Sequence, residues 1–204
     1  MGTSPPPAPE PVAGPWPGAL RQLRSLLAWL LLALLLRWVV IEPRWIPSGS
    51  MLPTLQLRDR ILVEKVRARL GDTPPAGAIV VFRPPPVLLA AGYDPDAALV
   101  KRVVAGPGDR VEVRDGVLWR NGTALGGDWG REPMNYALAE FTIPAGHVMV
   151  LGDNRNASLD SHLWGPLPLD RVVGTAVWRY WPLRRFGPIR SSSPSGRGSS
   201  GELG

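Results

Sequence analysis

The run Leu99-Val100-Lys101-Arg102-Val103-Val104 is short and rich in β-branched residues, the composition of a strand. The same texture recurs on both sides of it. Upstream lie Arg60-Ile61-Leu62-Val63-Glu64 and Ala78-Ile79-Val80-Val81-Phe82. Downstream come Arg110-Val111-Glu112-Val113, His147-Val148-Met149-Val150-Leu151 and Val172-Val173-Gly174-Thr175-Ala176-Val177-Trp178. Gly, Pro and Asp clusters separate these runs. Asn121-Gly122, after Val117-Leu118-Trp119-Arg120, is a hairpin turn signal. The 24 Pro and 23 Gly in 204 residues argue the same way, against a helix-rich fold. Residues 42–185 therefore read as an all-β domain of many short antiparallel strands.

The ends of the chain have a different texture. Residues 1–20 are Pro-rich and read as a disordered tail. Residues 186–204 are rich in Gly, Ser and Arg and read as a flexible tail. Between the first tail and the β domain, residues 21–41 read as a single transmembrane anchor. Arg21 and Arg24 precede a nearly unbroken apolar run from Ser25 to Ile41, interrupted only by Arg37. Its length is at the lower edge of what crosses ~30 Å of hydrocarbon. No small-x-small cleavage site follows, which argues against a removable leader. All-round hydrophobicity argues against a buried globular helix. Trp38 and Trp45 suit an interfacial belt. Arg21 and Arg24 favour a cytoplasmic N-terminus, although Arg37 and Arg44 offset the count.

Composition excludes several chemistries. There is no Cys, so disulfides, thiolate metal sites and Cys nucleophiles are out. Two His, His147 and His162, are too few for a His-rich metal centre, and no metal or cofactor is expected. A net charge of +6 raises nucleic-acid binding, but the excess is spread as single Arg residues with no basic run and interleaved aromatics. Nucleic acid is therefore not an expected partner. The same charge suits an anionic lipid surface. A Ser-His-Asp triad would need one of the two His beside a Ser; His162 follows Asp160-Ser161, but residues adjacent or two apart do not usually form a triad. The other route to an activated serine is a Ser-Lys pair.

Only Lys65 and Lys101 break an otherwise complete preference for Arg among the basic residues. A buried Lys loses its proton where Arg does not. In a strand Lys101 shares a face with Leu99 and Val103, while Arg102 points opposite. That apolar face disfavours the ammonium and lowers its pKa. Ile46-Pro47-Ser48-Gly49-Ser50-Met51-Leu52-Pro53-Thr54-Leu55 is the best nucleophile segment, with two hydroxyls flanking a Gly and prolines stiffening both sides. A third segment, Gly152-Asp153-Asn154-Arg155 through Ser158, Asp160-Ser161-His162 and Trp164-Gly165, is a dense polar loop whose groups need partners.

Together these segments resemble bacterial type I signal peptidases over roughly residues 20–182. The matching motifs are Pro47–Leu55, Ile79–Arg83, Lys101–Val104 with Pro107-Gly108-Asp109, and Gly152–Arg155 with Ser158, Asp160-Ser161 and Trp164-Gly165. The resemblance implies that Ser50 is the nucleophile and Lys101 the general base. It implies that Ser48 and the Ser50 backbone form the oxyanion hole. Ser158 would orient the Lys101 amine, with Asp160 in a supporting polar network. Ile46, Met51, Leu55, Leu99 and Val100 would line shallow pockets for small residues at −3 and −1 of a signal peptide. The implied partners are signal peptides of secreted preproteins, the lipid bilayer and, as a candidate, the protein-export channel. The implied location is the cytoplasmic membrane, single-pass, with the catalytic domain on the outer face.

The chain departs from that family in places. His162 stands where many members have Arg, so its contact with Asp160 is expected to depend on pH. Gly77-Ala78 replaces the common Gly-Asp, and Ala105-Gly106-Pro107 replaces Gly-Leu-Pro. Two other readings compete: a Ser-Lys peptidase with another task, such as a self-cleaving repressor or pilus-system peptidase, and a non-catalytic tethered β module.

Overall fold

The computed structural model describes residues 16–125 and 132–191, and the chain divides between Trp38 and Val39 into two compact units. The first is built on helix α1, Trp16–Val39. It starts earlier than the expected boundary at residue 21. Pro17 falls in the first turn, where its missing N–H breaks no helical bond. So Trp16–Leu20 belong to the helix, and the expected tail beyond them lies outside the described residues.

The expected membrane span needs a correction. Among the described residues, no helix is long and apolar enough to cross a membrane. Arg24 and Ser25 bound one side of the continuous apolar part, Leu26–Leu36, and Arg37 bounds the other. Those eleven residues rise only about 16 Å. The run also does not stay helical to its end, because Ile41 already belongs to a strand. The helix is apolar and uncovered all the same: Leu23, Leu26, Trp29, Leu30, Leu31 and Leu35 are exposed.

The second unit is all-β and antiparallel, as the short valine-rich runs predict. In chain order it holds β1 Ile41–Trp45, β2 Arg60–Glu64, the one-turn helix α2 Val66–Arg69, β3 Ile79–Phe82 and α3 Pro86–Ala90. Then come β4 Leu99–Ala105, β5 Arg110–Arg114, β6 Val117–Arg120, β7 Thr123–Ala124, β8 Leu138–Thr142 and β9 His147–Leu151. Helix α4 Ser161–Trp164, β10 Leu167–Pro168, β11 Val172–Trp181 and β12 Gly187–Pro188 complete it. The larger sheet runs β1-β2-β11-β3-β4-β9-β10, with β12 added beside β11, and the smaller runs β7-β6-β5-β8. Residues 186–191 therefore continue the ordered domain, and the rest of the expected C-terminal tail lies outside the described residues.

Local chemistry explains the pairing. Asp115-Gly116 joins β5 to β6 and Asn121-Gly122 joins β6 to β7. All four residues have positive φ, the conformation of a tight hairpin turn. Pro43 sits in β1, an edge strand, where its missing donor breaks no ladder bond.

Both faces of the larger sheet are covered, which β3 shows residue by residue. Ile79 and Val81 enter a cluster with Ile46, Met51, Leu55, Ile61 and Val63. Val80 and Phe82 enter another with Leu88, Val103, Val148, Val150, Trp164 and Leu167. A third cluster joins Val104, Met149 and Leu151 to Val111, Val113 and Leu118 of the smaller sheet.

Candidate active site

After β1 the chain turns into the serine-bearing loop. Ile46 is held at both backbone atoms: its N–H donates to Asp59 O at 2.9 Å and its C=O accepts from Arg58 N–H at 2.9 Å. Ile46, Met51 and Leu55 are buried and draw the loop onto the core. Ser48 and Ser50 are left outside, with their Oγ atoms 3.3 Å apart. The loop is also held from across the sheet. Asn154 N–H donates to Ser50 O at 3.0 Å, and Asn154 Nδ2 donates to Gly49 O at 3.2 Å. Gly152 fills the remaining gap without a side chain. A Cβ there would lie 2.2 Å from Ser158 Oγ and 2.5 Å from Ser50 O, closer than any side chain tolerates.

Lys101 lies mid-strand in β4, paired across from Val80 of β3. Its neighbours on that face, Leu99 and Val103, pack in the same apolar cluster as Val80 and Phe82. Only 5% of the residue is exposed. This burial lowers the ammonium pKa from 10.5 to about 8, against the opposing fields of Asp160 and Asp153.

Arg102 does point opposite, but that face is interior too, and the residue is 2% exposed. It forks onto Asp153, with Nε to Oδ1 at 2.8 Å and Nη2 to Oδ2 at 2.7 Å, and Nη1 donates to Gly77 O at 2.7 Å. The bidentate pair ties β4 to the start of the polar loop. Further along that loop, Asp160 caps α4 and is fully buried. Its Oδ2 accepts from Gly152 N–H at 2.8 Å and its Oδ1 lies 2.7 Å from His162 Nδ1. The His162 ring stacks on Tyr136 with centroids 3.9 Å apart. Burial, and then the Asp160 charge, push the Tyr136 phenol up to about 12.

These segments enclose a cleft of about 520 Å³. Ser48, Ser50 and Lys101 all line it, as do Ile46, Met51, Leu99 and Val100. Leu55 does not. It belongs to the core behind Ile46 and Met51, because its backbone turn from Met51 aims it inward. Ser158 and Asp160 sit behind the wall. Ser158 Oγ is buried with no hydrogen-bond partner among the described residues, so the expected bond to Lys101 is not formed here. Leu88, Tyr93 and Leu159 complete the apolar wall. No strand pattern flags them, because they come from α3 and from loops. Asn154 and Gly152 were legible only as members of a polar run, since the serine loop they pack against lies about a hundred residues away. Among the described residues, no group of three His, Asp or Glu side chains could hold a metal ion.

Residues 19–181 match the family described as signal peptidase, peptidase S26. A probable signal peptidase I-1 from Synechocystis is 46% identical over 182 residues, covering 89% of this chain and 92% of that protein. A thylakoidal processing peptidase 1 from Arabidopsis thaliana chloroplasts is 47% identical over 153 residues, covering 74% of this chain and 45% of that protein. A signal peptidase I from Pseudomonas fluorescens is 32% identical over 212 residues, covering 78% of this chain and 72% of that protein. The chain, with its all-β domain, belongs to the signal peptidase family, peptidase S26. Within that family it is a serine endopeptidase of the signal peptidase I kind.

Proposed function

We propose that the 520 Å³ cleft is the catalytic site, that Ser50 is its nucleophile and Lys101 its general base, and that it removes signal peptides from exported preproteins after small residues at −3 and −1. The observation that carries this reading is a lysine on an apolar strand face, nine-tenths hidden from water, in the wall of the cleft that also holds Ser50. An amine with a pKa of about 8 is neutral in a usable fraction near neutral pH.

The steps follow from that state. Ser50 Oγ adds to the scissile carbonyl while its proton passes to Lys101 Nζ. The oxyanion accepts from the Ser50 backbone N–H and the Ser48 hydroxyl, which already sits 3.3 Å from Ser50 Oγ. Lys101 then gives its proton to the departing amine as the C–N bond breaks. Water adds to the acyl ester by the same proton route and frees Ser50. The uncommitted Ser158 Oγ has a lone pair free to orient the Lys101 amine, and Asp160 holds the Gly152 backbone behind it. Ile46, Met51, Leu99 and Val100 offer only apolar surface to the residues flanking the cut, which suits small side chains. No described residue of the cleft calls for a cofactor.

We further propose that α1 holds the enzyme to the cytoplasmic membrane, with the β domain on the outer face. Its uncovered leucines and Trp29 support embedding in lipid, with Arg21 and Arg24 at headgroup level.

The test is to incubate the purified protein with a preprotein ending in Ala-x-Ala and map the cut by mass. Ser50→Ala and Lys101→Ala should each abolish cleavage with the fold intact by circular dichroism. Lys101→Arg should be as inactive, because a guanidinium stays charged. Full activity of that variant would end the neutral-amine mechanism.

A further inference from the structure

The cleft around Ser50 and Lys101 shares a lining residue with a second one. Ala98 lines both the catalytic cleft and a smaller cleft of about 270 Å³. On one wall the chain steps from Lys101 back through Ala98 to Asp96. On the other it steps from Ser50 back through Ile46 to Arg44 and Glu42 of β1. Both walls of the first cleft therefore continue into the second. An extended peptide advances ~3.3 Å per residue, as the strand beside it does. With its scissile residue at Ser50 and Lys101, such a peptide passes Ala98 after about three residues and lies in the second cleft at about the fourth to sixth.

The chemistry of the second cleft differs from that of the first. Of its three carboxylates, Glu42 and Asp170 have cationic neighbours and Asp96 has no ion pair among the described residues, against the five cations Arg44, Lys65, Arg69, Arg83 and Arg171. Glu42 is paired with Arg44 and, at 3.0 Å, with Lys65, and Asp170 lies 4.0 Å from Arg171. Two further arginines, Arg69 and Arg83, line it with no carboxylate partner among the described residues. Arg69 donates one N–H to Val39 O at 3.0 Å, and Arg83 is exposed. Arg44 Nε is buried with no acceptor among the described residues. The cleft therefore holds donors in excess, in the planar geometry that suits a carboxylate.

We propose that this cleft is an outlying substrate subsite that takes an acidic side chain four to six residues from the bond that is cut. The proposal rests on the catalytic reading of the first cleft and names a substrate preference that the apolar pockets beside the cut do not set.

The experiment uses peptides with an Ala-x-Ala cut site and a single Glu or Gln placed at the fourth, fifth or sixth position on either side. The full-length enzyme should cut one Glu peptide about fivefold to twentyfold better than its Gln twin, the scale of one partly exposed charge-assisted bond. The gain should fall in KM and shrink in high salt. Arg83→Glu should turn that Glu-to-Gln ratio below one. A ratio of one at all six positions, with the Gln peptides cut normally, overturns the subsite and leaves the catalytic reading standing. Failure to cut any peptide removes the catalytic reading and the subsite with it. A ratio unmoved by Arg83→Glu, with weakened binding to phosphatidylglycerol vesicles instead, overturns the subsite in favour of a lipid headgroup site.

Discussion

At the scale of single residues, the proposed catalysis turns on Lys101. A base must be neutral, so kcat/KM should rise with pH and level off above an apparent pKa of about 8. The same burial predicts a stability effect of definite sign. Between about 8 and 10.5 the unfolded chain keeps this proton while the folded one has lost it. Stability therefore rises with pH across that window, by roughly 3 kcal/mol from this group. Below 8 both states carry the charge and the folded state bears its full desolvation cost. Lys101→Met should abolish activity and flatten that rise. Urea unfolding of both proteins at pH 7.5 and 10.5 measures it as a difference of differences, which cancels other titrating groups. Equal pH slopes in the two proteins would mean that the amine is solvated. Gly152 makes a second prediction of this kind. A Cβ there would meet Ser158 Oγ at 2.2 Å and Ser50 O at 2.5 Å, so Gly152→Ala must displace the serine loop. The expected result is a fall in kcat of about a hundredfold or more, the known penalty for ångström misplacement of reacting groups, with KM little changed.

At the scale of elements, β4 carries opposite tasks on its two faces. Lys101 is held charge-averse among apolar groups, and Arg102 is fixed by its fork onto Asp153. Removing one partner of the buried Arg102–Asp153 pair strands the other charge. Arg102→Met should therefore cost about 3–5 kcal/mol in denaturant unfolding, whereas Lys101→Met should not destabilise at all. A loss under 1 kcal/mol would show that the pair is hydrated. This contrast also marks what was legible beforehand. Alternation located Lys101 on an apolar face because Leu99 and Val103 flank it at the strand period. It could not reveal that Arg102 is also interior, because burial of the second face depends on the serine loop folding over it. The run 60–64 was readable as β2 because it buries every second residue, 117–120 as β6 because it lies between turns, and 147–151 as β9 because it is a short β-branched run buried on both faces. β1 was not, since Ile41 extends the apolar run of α1 and Pro43 argues against a strand until its edge position is known. Leu55 was placed on the cleft wall by motif alone, and packing put it one layer behind.

At the scale of the whole molecule, the chain joins an apolar helix to a domain that completes its own core. Three apolar clusters form the interior of the second unit among the described residues, and each is composed of residues of that unit. Its stability therefore needs nothing from α1. The helix, by contrast, has exposed leucines over most of its length and no polar face to turn toward water. Deleting residues 1–38 should then separate two properties that the full chain combines. The shortened protein should unfold cooperatively with an unchanged midpoint and keep its kcat/KM on a soluble Ala-x-Ala peptide. It should remain in the dense fraction when floated with phosphatidylglycerol vesicles, while the full chain rises with them. Alkaline carbonate washing of the full chain then measures how deeply α1 is held. Its continuous apolar part rises only about 16 Å, short of the ~30 Å of hydrocarbon, so retention would require Arg21 and Arg24 to anchor it at the headgroups. Equal flotation of the shortened protein would move the membrane contact onto the β domain, whose exposed Trp45 and Trp181 lie in register on either side of Arg60, in the two strands that flank β2.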